Sequence, residues 1–167
     1  MDTWISYEIH PETPPEGISL ERLFGPGIIR SQEGQRQRCL ELGLPFAPRL
    51  SLSNSRLAIE AAEFARETGK HPEFHRAVLA AYFGDCRDIG DVEVLAEVAE
   101  RVGLDPIFLH AGLSNGKYAG AREAARAEAD RHGITAVPTY IFAGGAKVVG
   151  AQSLDYFRRL LSARGYS

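Results

Sequence analysis

The pattern of apolar and polar positions predicts helices in the middle of the chain and strands near its two ends. Between residues 31 and 132, apolar side chains recur at the three- and four-residue spacing of amphipathic helices. Residues 3–9 come close to alternation, and residues 137–149 are rich in β-branched and aromatic side chains around a glycine turn. The pattern therefore predicts one N-terminal strand, a long helical block and a C-terminal hairpin.

Start and stop residues divide the predicted helical block. Asp91 and Asp105 are suited to cap helices, Ser53 or Asn54 precedes another, and Ser153 precedes the last one. Glycines follow most of these segments, as expected at helix C-termini. The predicted helices cover residues 31–43, 54–68, 72–82, 92–102, 106–115, 119–132 and 154–161.

Gly133 to Gln152 is the most informative stretch of the chain. Strand-forming residues follow Pro138, and the dipeptide Gly144-Gly145 is typical of a hairpin turn. Proline has no backbone N–H to donate to a ladder, so it must lie at the first position or the edge of the strand. The Val137–Pro138 bond at that position is a candidate cis peptide.

Composition and charge exclude several classes of protein. The 167 residues are 44% hydrophobic and 25% charged, which is typical of one globular domain or of one domain with an insert. A net charge of −3 without a basic stripe argues against nucleic-acid binding. No apolar run approaches the roughly 20 residues of a membrane span, and no signal-peptide pattern is visible, so we expect a cytoplasmic protein.

Cysteine and histidine spacing predicts no metal site. Cys39 and Cys86 are 47 positions apart, which excludes a Cys-x-x-Cys motif and a cysteine-rich zinc cluster, and we expect both to be reduced and mostly buried. His71 and His75 have a spacing that zinc sites use on helices, but no third ligand is suitably placed. We expect these histidines on a solvated helix face.

The order strand, helical insert, long helix, hairpin, helix resembles the DsbA family of thioredoxin-fold oxidoreductases, and its FrnE-like branch in particular. Matching motifs are Pro14-Pro15-Glu16-Gly17, Arg87-Asp88-Ile89-Gly90-Asp91, Ala136-Val137-Pro138-Thr139 and Gly150-Ala151-Gln152. The resemblance implies an α/β, thioredoxin-like fold of the DsbA type with a large all-helical insert. The sheet portion would comprise residues 1–30 and 133–167, and the insert residues 31–132.

The resemblance also implies a substrate groove. In the family a cis-proline faces the redox cysteines, a role that falls on Pro138, with Val137 preceding it and Thr139 following it. Gln152 matches a position near which glutathione-using relatives hold their ligand. The implied partners are an extended thiol-bearing peptide or a small thiol such as glutathione, bound by strand addition.

The family's redox unit is expected to be absent from this chain. In relatives, a strand and a helix that begins with Cys-x-x-Cys precede the strand predicted at Thr3 to Ile9, whereas Met1 begins about where that second strand begins. We therefore expect an N-terminally truncated fold without catalytic residues. Either the first strand pairs directly with the hairpin, or a homodimer partner covers the open surface.

Three functions remain open. The first is a DsbA/FrnE-type thiol-disulfide oxidoreductase by resemblance, with its catalytic unit outside this chain. The second is a non-catalytic thioredoxin-like binding or dimerisation module. The third is a relative of the glutathione-dependent transferases and isomerases. No cofactor is expected for the first two, and glutathione would serve the third. We predict that this chain does not reduce insulin.

Overall fold

The structure is a computed structural model that describes residues 3–165. The chain divides into two compact units, residues 1–126 and residues 127–167, with the boundary inside one helix. The helices are α1 Leu20–Phe24, α2 Ile28–Glu41, α3 Arg56–Glu67, α4 His71–Leu79, α5 Val92–Arg101, α6 Pro106–Ser114, α7 Gly120–Arg131 and α8 Leu154–Ala163. The strands are β1 Ile18–Ser19, β2 Ser51–Leu52, β3 Thr139–Ile141 and β4 Lys147–Val149.

Helices α3 to α6 enclose the hydrophobic core of the first unit. Their apolar stripes meet because each helix repeats apolar residues at three- and four-residue spacing. The largest side chains that are completely buried lie on α4, α5 and α6: Phe74, Leu95, Val98 and Leu109. A π-helical turn, Ala80–Gly84, continues α4 and adds Ala81 and Tyr82 to this core.

The predicted capping residues begin three of the helices. Asp91, Asp105 and Ser153 each accept a backbone N–H from the first turn of α5, α6 and α8, respectively. The start of α3 differs slightly from the prediction: Ser55 occupies the N-cap position, while the Asn54 side chain accepts the Arg56 N–H at 3.0 Å. The periodic pattern thus located the helices well.

A short sheet in the first unit was not predicted. Strands β1 and β2 pair in antiparallel fashion, Ile18 with Leu52 and Ser19 with Ser51. Gly17, immediately before β1, has a φ of 77°, and a Cβ built there would lie 2.7 Å from the Leu52 carbonyl oxygen. Only glycine allows this close approach without strain. Two-residue strands are too short to give an alternating pattern in the sequence.

The prediction of a strand at Thr3 to Ile9 is wrong. The structure assigns no strand there, and the hairpin sheet consists of β3 and β4 alone, so the direct pairing of the first strand with the hairpin is also wrong for the described residues. Ionic contacts hold this segment instead. Glu8 lies 3.4 Å from Arg56 and 3.8 Å from Arg122. The nearly alternating apolar and polar residues therefore indicated an extended segment. A strand also requires a second strand with which its backbone forms hydrogen bonds.

The second unit contains the hairpin and α8. Strands β3 and β4 are antiparallel, as predicted, and the Tyr140 ring packs edge-on against Phe157 of α8 at 4.8 Å between centroids. Side chains alternate between the two faces of a strand, so Tyr140 and its cross-strand partner Val148 share one face. Val148 is buried. Among residues 3–165, no helix is both long and apolar enough to cross a membrane.

Candidate functional site

The hydrogen bonds of the hairpin define which backbone groups face outward. Phe142 N–H donates to the Ala146 carbonyl at 2.9 Å, and Gly150 N–H donates to the Pro138 carbonyl at 2.8 Å. Hydrogen-bonded and non-hydrogen-bonded pairs alternate along an antiparallel ladder. Phe142 with Ala146 and Pro138 with Gly150 are hydrogen-bonded pairs. The alternating positions, Thr139 opposite Val149 and Ile141 opposite Lys147, are therefore non-hydrogen-bonded pairs.

Both edges of the hairpin consequently present free backbone groups within the described second unit. On β3, the N–H and C=O groups of Thr139 and Ile141 point away from β4. On β4, those of Lys147 and Val149 point away from β3 in the same manner, although the Val149 carbonyl accepts the Gln152 side-chain amide. Within residues 3–165, the hairpin sheet consists of these two strands. Such an edge is a template for an added extended segment.

The four predicted groove residues lie at one end of this hairpin. The Val137–Pro138 bond is cis, the isomer that the resemblance implies. Pro138 lies immediately before β3, a position at which a strand tolerates a residue without an N–H. The Thr139 hydroxyl donates to the Ala136 carbonyl at 2.6 Å, and the Gln152 side-chain amide donates to the Val149 carbonyl at 3.2 Å.

The Gln152 side chain is thus hydrogen-bonded to Val149, the residue opposite Thr139 in the hairpin. Its amide nitrogen is engaged by Val149, whereas its side-chain carbonyl oxygen has no hydrogen-bond partner among the described residues. Val137, Pro138 and Gln152 are all exposed, and Thr139 is partly buried. The structure therefore brings the predicted residues together, and their role in binding stays a prediction.

The apolar face of the hairpin opposite α8 is open within the second unit. Ile141 is 43% exposed and Val149 is 54% exposed. Because side chains alternate, these residues share a face with Thr139 and lie opposite the face of Tyr140. Apolar side chains beside free strand edges suit an extended peptide, which would pair through its backbone and place alternate side chains on this face.

Neither cysteine forms a disulfide. Cys39 on α2 is partly buried, whereas Cys86 after the π-helical turn is exposed, so the prediction of burial is wrong for Cys86. Cys86 adopts a left-handed φ of 53°. Its thiol lies 3.6 Å from the Ala47 carbonyl and 3.7 Å from the Pro48 carbonyl. This position follows from a tertiary contact 39 residues distant in sequence, which local patterns do not reveal.

The prediction of a solvated helix face for His71 and His75 is also wrong. His71 is only 7% exposed, and His75 is partly buried. Arg66 and Trp4 contact this pair, and neither contact could be foreseen from the spacing of the histidines. Among the residues that the structure describes, no group of three or more histidine, cysteine or acidic side chains is arranged to hold a metal ion.

A second concave surface lies between α3 and α6, with a volume of about 510 Å³. Its polar groups bind one another: Lys117 Nζ and the Tyr118 hydroxyl both donate to Glu67, at 2.6 Å and 2.8 Å. The bond from Lys117, and then that from Tyr118, lowers the pKa of Glu67. The Glu67 carboxylate is therefore already paired within this surface.

Comparison with known proteins identifies the fold family. The sequence profile of the DSBA-like thioredoxin domain matches residues 32–162. The chain belongs to the DSBA-like thioredoxin family. Its fold is accordingly the DsbA-type thioredoxin fold, with eight helices and two small sheets among the described residues.

Relatives and solved structures agree with this membership. The chain is 29% identical to the uncharacterized protein YwbO of Bacillus subtilis, over 95% of this chain and 80% of YwbO. It is 26% identical to the crystal structure of the "probable DsbA oxidoreductase SCO1869" of Streptomyces coelicolor, with a TM-score of 0.85 over 98% of this chain and 75% of that one.

A more distant structure shares the fold alone. A candidate protein disulfide isomerase from Nitrosomonas europaea is 17% identical, with a TM-score of 0.65 over 80% of this chain and 72% of that one. At the level of the DSBA-like family, the family profile and the likeness to SCO1869 support thiol-disulfide oxidoreductase chemistry.

Proposed function

We propose that this chain is the partner-binding part of a DsbA-like, FrnE-type thiol-disulfide oxidoreductase system and does not carry the redox cysteine pair itself. It binds an extended thiol-bearing peptide along β3, with Val137, Pro138, Thr139 and Gln152 at the mouth of the groove. The observation that carries this proposal is the free backbone edge of β3 at Thr139 and Ile141.

The positions and the free state of the two cysteines support the proposal that this chain binds the partner and does not carry the catalytic pair. The only two cysteines of this sequence are 47 positions apart, and both are free thiols in the structure. A Cys-x-x-Cys pair places an attacking and a resolving thiol within reach of each other, and this chain has no such pair. Reduced cysteines also suit the cytoplasmic location that we propose.

Backbone pairing needs no thiol on the binding protein. An added strand would accept hydrogen bonds from the outward N–H groups of Thr139 and Ile141 and would donate to their carbonyl oxygens. Ile141, on the strand that receives the peptide, would supply an apolar surface for its side chains. Glutathione, a short peptide thiol, offers fewer backbone groups and should bind more weakly.

Proline substitution tests the use of the β3 edge. Ile141→Pro removes an outward N–H from β3, and the matched control Val149→Pro removes an outward N–H from β4 without touching β3. Both are exposed aliphatic residues at non-hydrogen-bonded positions. We expect Ile141→Pro to weaken binding of a short extended cysteine-containing peptide about tenfold, the loss of roughly one hydrogen bond, as measured by calorimetry.

The control variant decides how the result is interpreted. Val149→Pro should bind the peptide as the unmodified chain does, and both variants should keep their far-ultraviolet circular dichroism. Equal weakening in both variants would show that binding does not depend on the β3 edge. Full binding by Ile141→Pro would refute the proposed groove.

We propose in addition that two copies of the chain associate through exposed apolar surface. Trp4, Ile5 and Ile9 in the N-terminal unit are each more than half exposed, as is Val149 of the hairpin. Large apolar side chains in such numbers favour burial against a partner. Light scattering should give twice the mass of 18.3 kDa at micromolar concentration. A stable monomer over a wide concentration range would refute dimerisation.

A further inference from the structure

The segment formed by residues 3–9, here called the N-terminal segment, is held on α3 and α4 by a cluster that contains two histidines. His71 and His75 lie one turn apart on α4, with nearly parallel rings whose centroids are 5.8 Å apart. The Trp4 ring lies 5.0 Å from the His75 ring. Arg66 of α3 donates to the Trp4 carbonyl oxygen at 2.9 Å.

The contact between Arg66 and His71 requires a neutral His71. Arg66 Nη2 lies 3.1 Å from His71 Nε2. A guanidinium group can only donate hydrogen bonds, so Nε2 must accept, and the imidazole proton must reside on Nδ1. If Nε2 were protonated, its N–H would face the N–H of Arg66, so that two hydrogen-bond donors would meet without an acceptor. The protonated ring would also place a second positive charge beside Arg66. The same Arg66 nitrogen that binds His71 also binds Trp4.

The surroundings of the pair mostly disfavour protonation. Burial is the largest effect that lowers the pKa of His71, followed by the charges of Arg66 and His75, while Glu63 acts in the opposite direction. Burial, with a smaller effect of Arg76, lowers the pKa of His75. His75 Nε2 is buried and has no hydrogen-bond partner in the part of the chain that the structure describes.

We propose that protonation of His71 releases Trp4 and its neighbours from α3 and α4, so that the N-terminal segment carries an acid-sensitive latch. The fold favours the neutral imidazole, and its pKa therefore lies below the ordinary value of about 6.5. The stabilising contact is complete above that value and is lost as the pH falls below it.

Other contacts limit how much of the segment is released. Glu8 pairs with Arg56 and Arg122, and the Arg126 guanidinium lies 5.4 Å from the centre of the Tyr7 ring. None of these contacts involves a histidine. We therefore expect the release to stop before Tyr7 and to leave the helical core intact.

Trp4 is the single tryptophan of the chain and reports directly on the latch. Its fluorescence anisotropy should fall in one transition as the full chain is titrated from about pH 8 to about pH 5, with a midpoint below about 6.5. His71→Gln can accept the Arg66 hydrogen bond at every pH, so this variant should lose the transition. Arg66→Gln should show low anisotropy already at pH 8.

His75→Gln separates motion of Trp4 from quenching by the neighbouring ring. This variant should change the intensity of the Trp4 fluorescence but keep the anisotropy transition. A transition that persists in His71→Gln, or that disappears only in His75→Gln, would overturn the proposal. So would a constant anisotropy over the whole range, or a simultaneous loss of helical circular dichroism, which would indicate global unfolding.

Discussion

Asp105 stabilises the first turn of α6 through its side chain. Its carboxylate accepts the N–H of Ile107 at 2.8 Å and that of Phe108 at 3.4 Å, and Pro106 occupies the first helical position. Asp105→Ala leaves these N–H groups without a protein partner and should lower the free energy of unfolding by about 1 kcal/mol. Asp105→Asn, which can still cap, should change it little. Urea denaturation measures both, and equal stability of Asp105→Ala and the unmodified chain would contradict the capping role.

Leu95 illustrates the energetic weight of a single core residue. It lies on α5 and is completely buried in the helical core, whereas Leu40 on α2 is 56% exposed. Leu95→Ala should lower the free energy of unfolding by about 3 kcal/mol, because it removes apolar contact and leaves a cavity. Leu40→Ala should change it by less than about 0.5 kcal/mol. Similar losses in the two variants would contradict the assignment of the core.

Residue-scale features were predictable where they depend on neighbours in the sequence. Asp91, Asp105 and Ser153 were correctly predicted as caps, because a cap contacts backbone groups two or three residues away. The environments of Cys86 and His75 could not be predicted, because they include Ala47 and Trp4, which are distant in the sequence.

At the scale of elements, Gly17 and Gly34 should respond to alanine in opposite ways. Gly17→Ala should destabilise the fold by more than about 1 kcal/mol, because its φ is positive and its Cβ would approach the Leu52 carbonyl oxygen to 2.7 Å. Gly34 lies within α2 with open space around the position of a Cβ, so Gly34→Ala should stabilise by roughly 0.5 to 1 kcal/mol. Thermal unfolding of both variants tests this contrast, and the same sign of change in both would contradict it.

Elements were predictable to the extent that their signal is local. The hairpin was predicted because a glycine turn separates two apolar runs, and the structure pairs Thr139 with Val149 as such a turn requires. The segment 3–9 shows a similar apolar pattern but forms no strand. No strand pairs with it among the described residues, and the sequence of one segment does not specify whether a second strand lies beside it.

At the scale of the whole molecule, the chain should not catalyse disulfide exchange. Its two cysteines are 47 positions apart and both free, so the chain has no Cys-x-x-Cys pair in which a second thiol resolves a mixed disulfide. Insulin reduction with dithiothreitol should proceed at the same rate with the unmodified chain, with the Cys39→Ser/Cys86→Ser variant and without protein. Turnover that requires either cysteine would contradict the proposed division of roles.

The candidate groove was predictable from the resemblance, whereas its open edges were not. The motif Ala136-Val137-Pro138-Thr139 predicts the site, and the family profile and the 0.85 TM-score confirm the fold, while the binding role of these residues stays a prediction. Which backbone groups are free follows only from the register of β3 and β4. The amino-acid sequence indicates which residues form a strand. It does not indicate which of them direct their backbone N–H and C=O groups toward the neighbouring strand.

Amide hydrogen exchange across the hairpin tests the proposed binding edge most directly. When a short extended cysteine-containing peptide is added, the amides of Thr139 and Ile141 on β3 should exchange more slowly, because they become hydrogen-bonded to the added strand. The amides of Lys147 and Val149 on β4 should be unchanged. Peptide binding without protection of Thr139 and Ile141, or with equal protection on both edges, would contradict the proposal that β3 receives the partner.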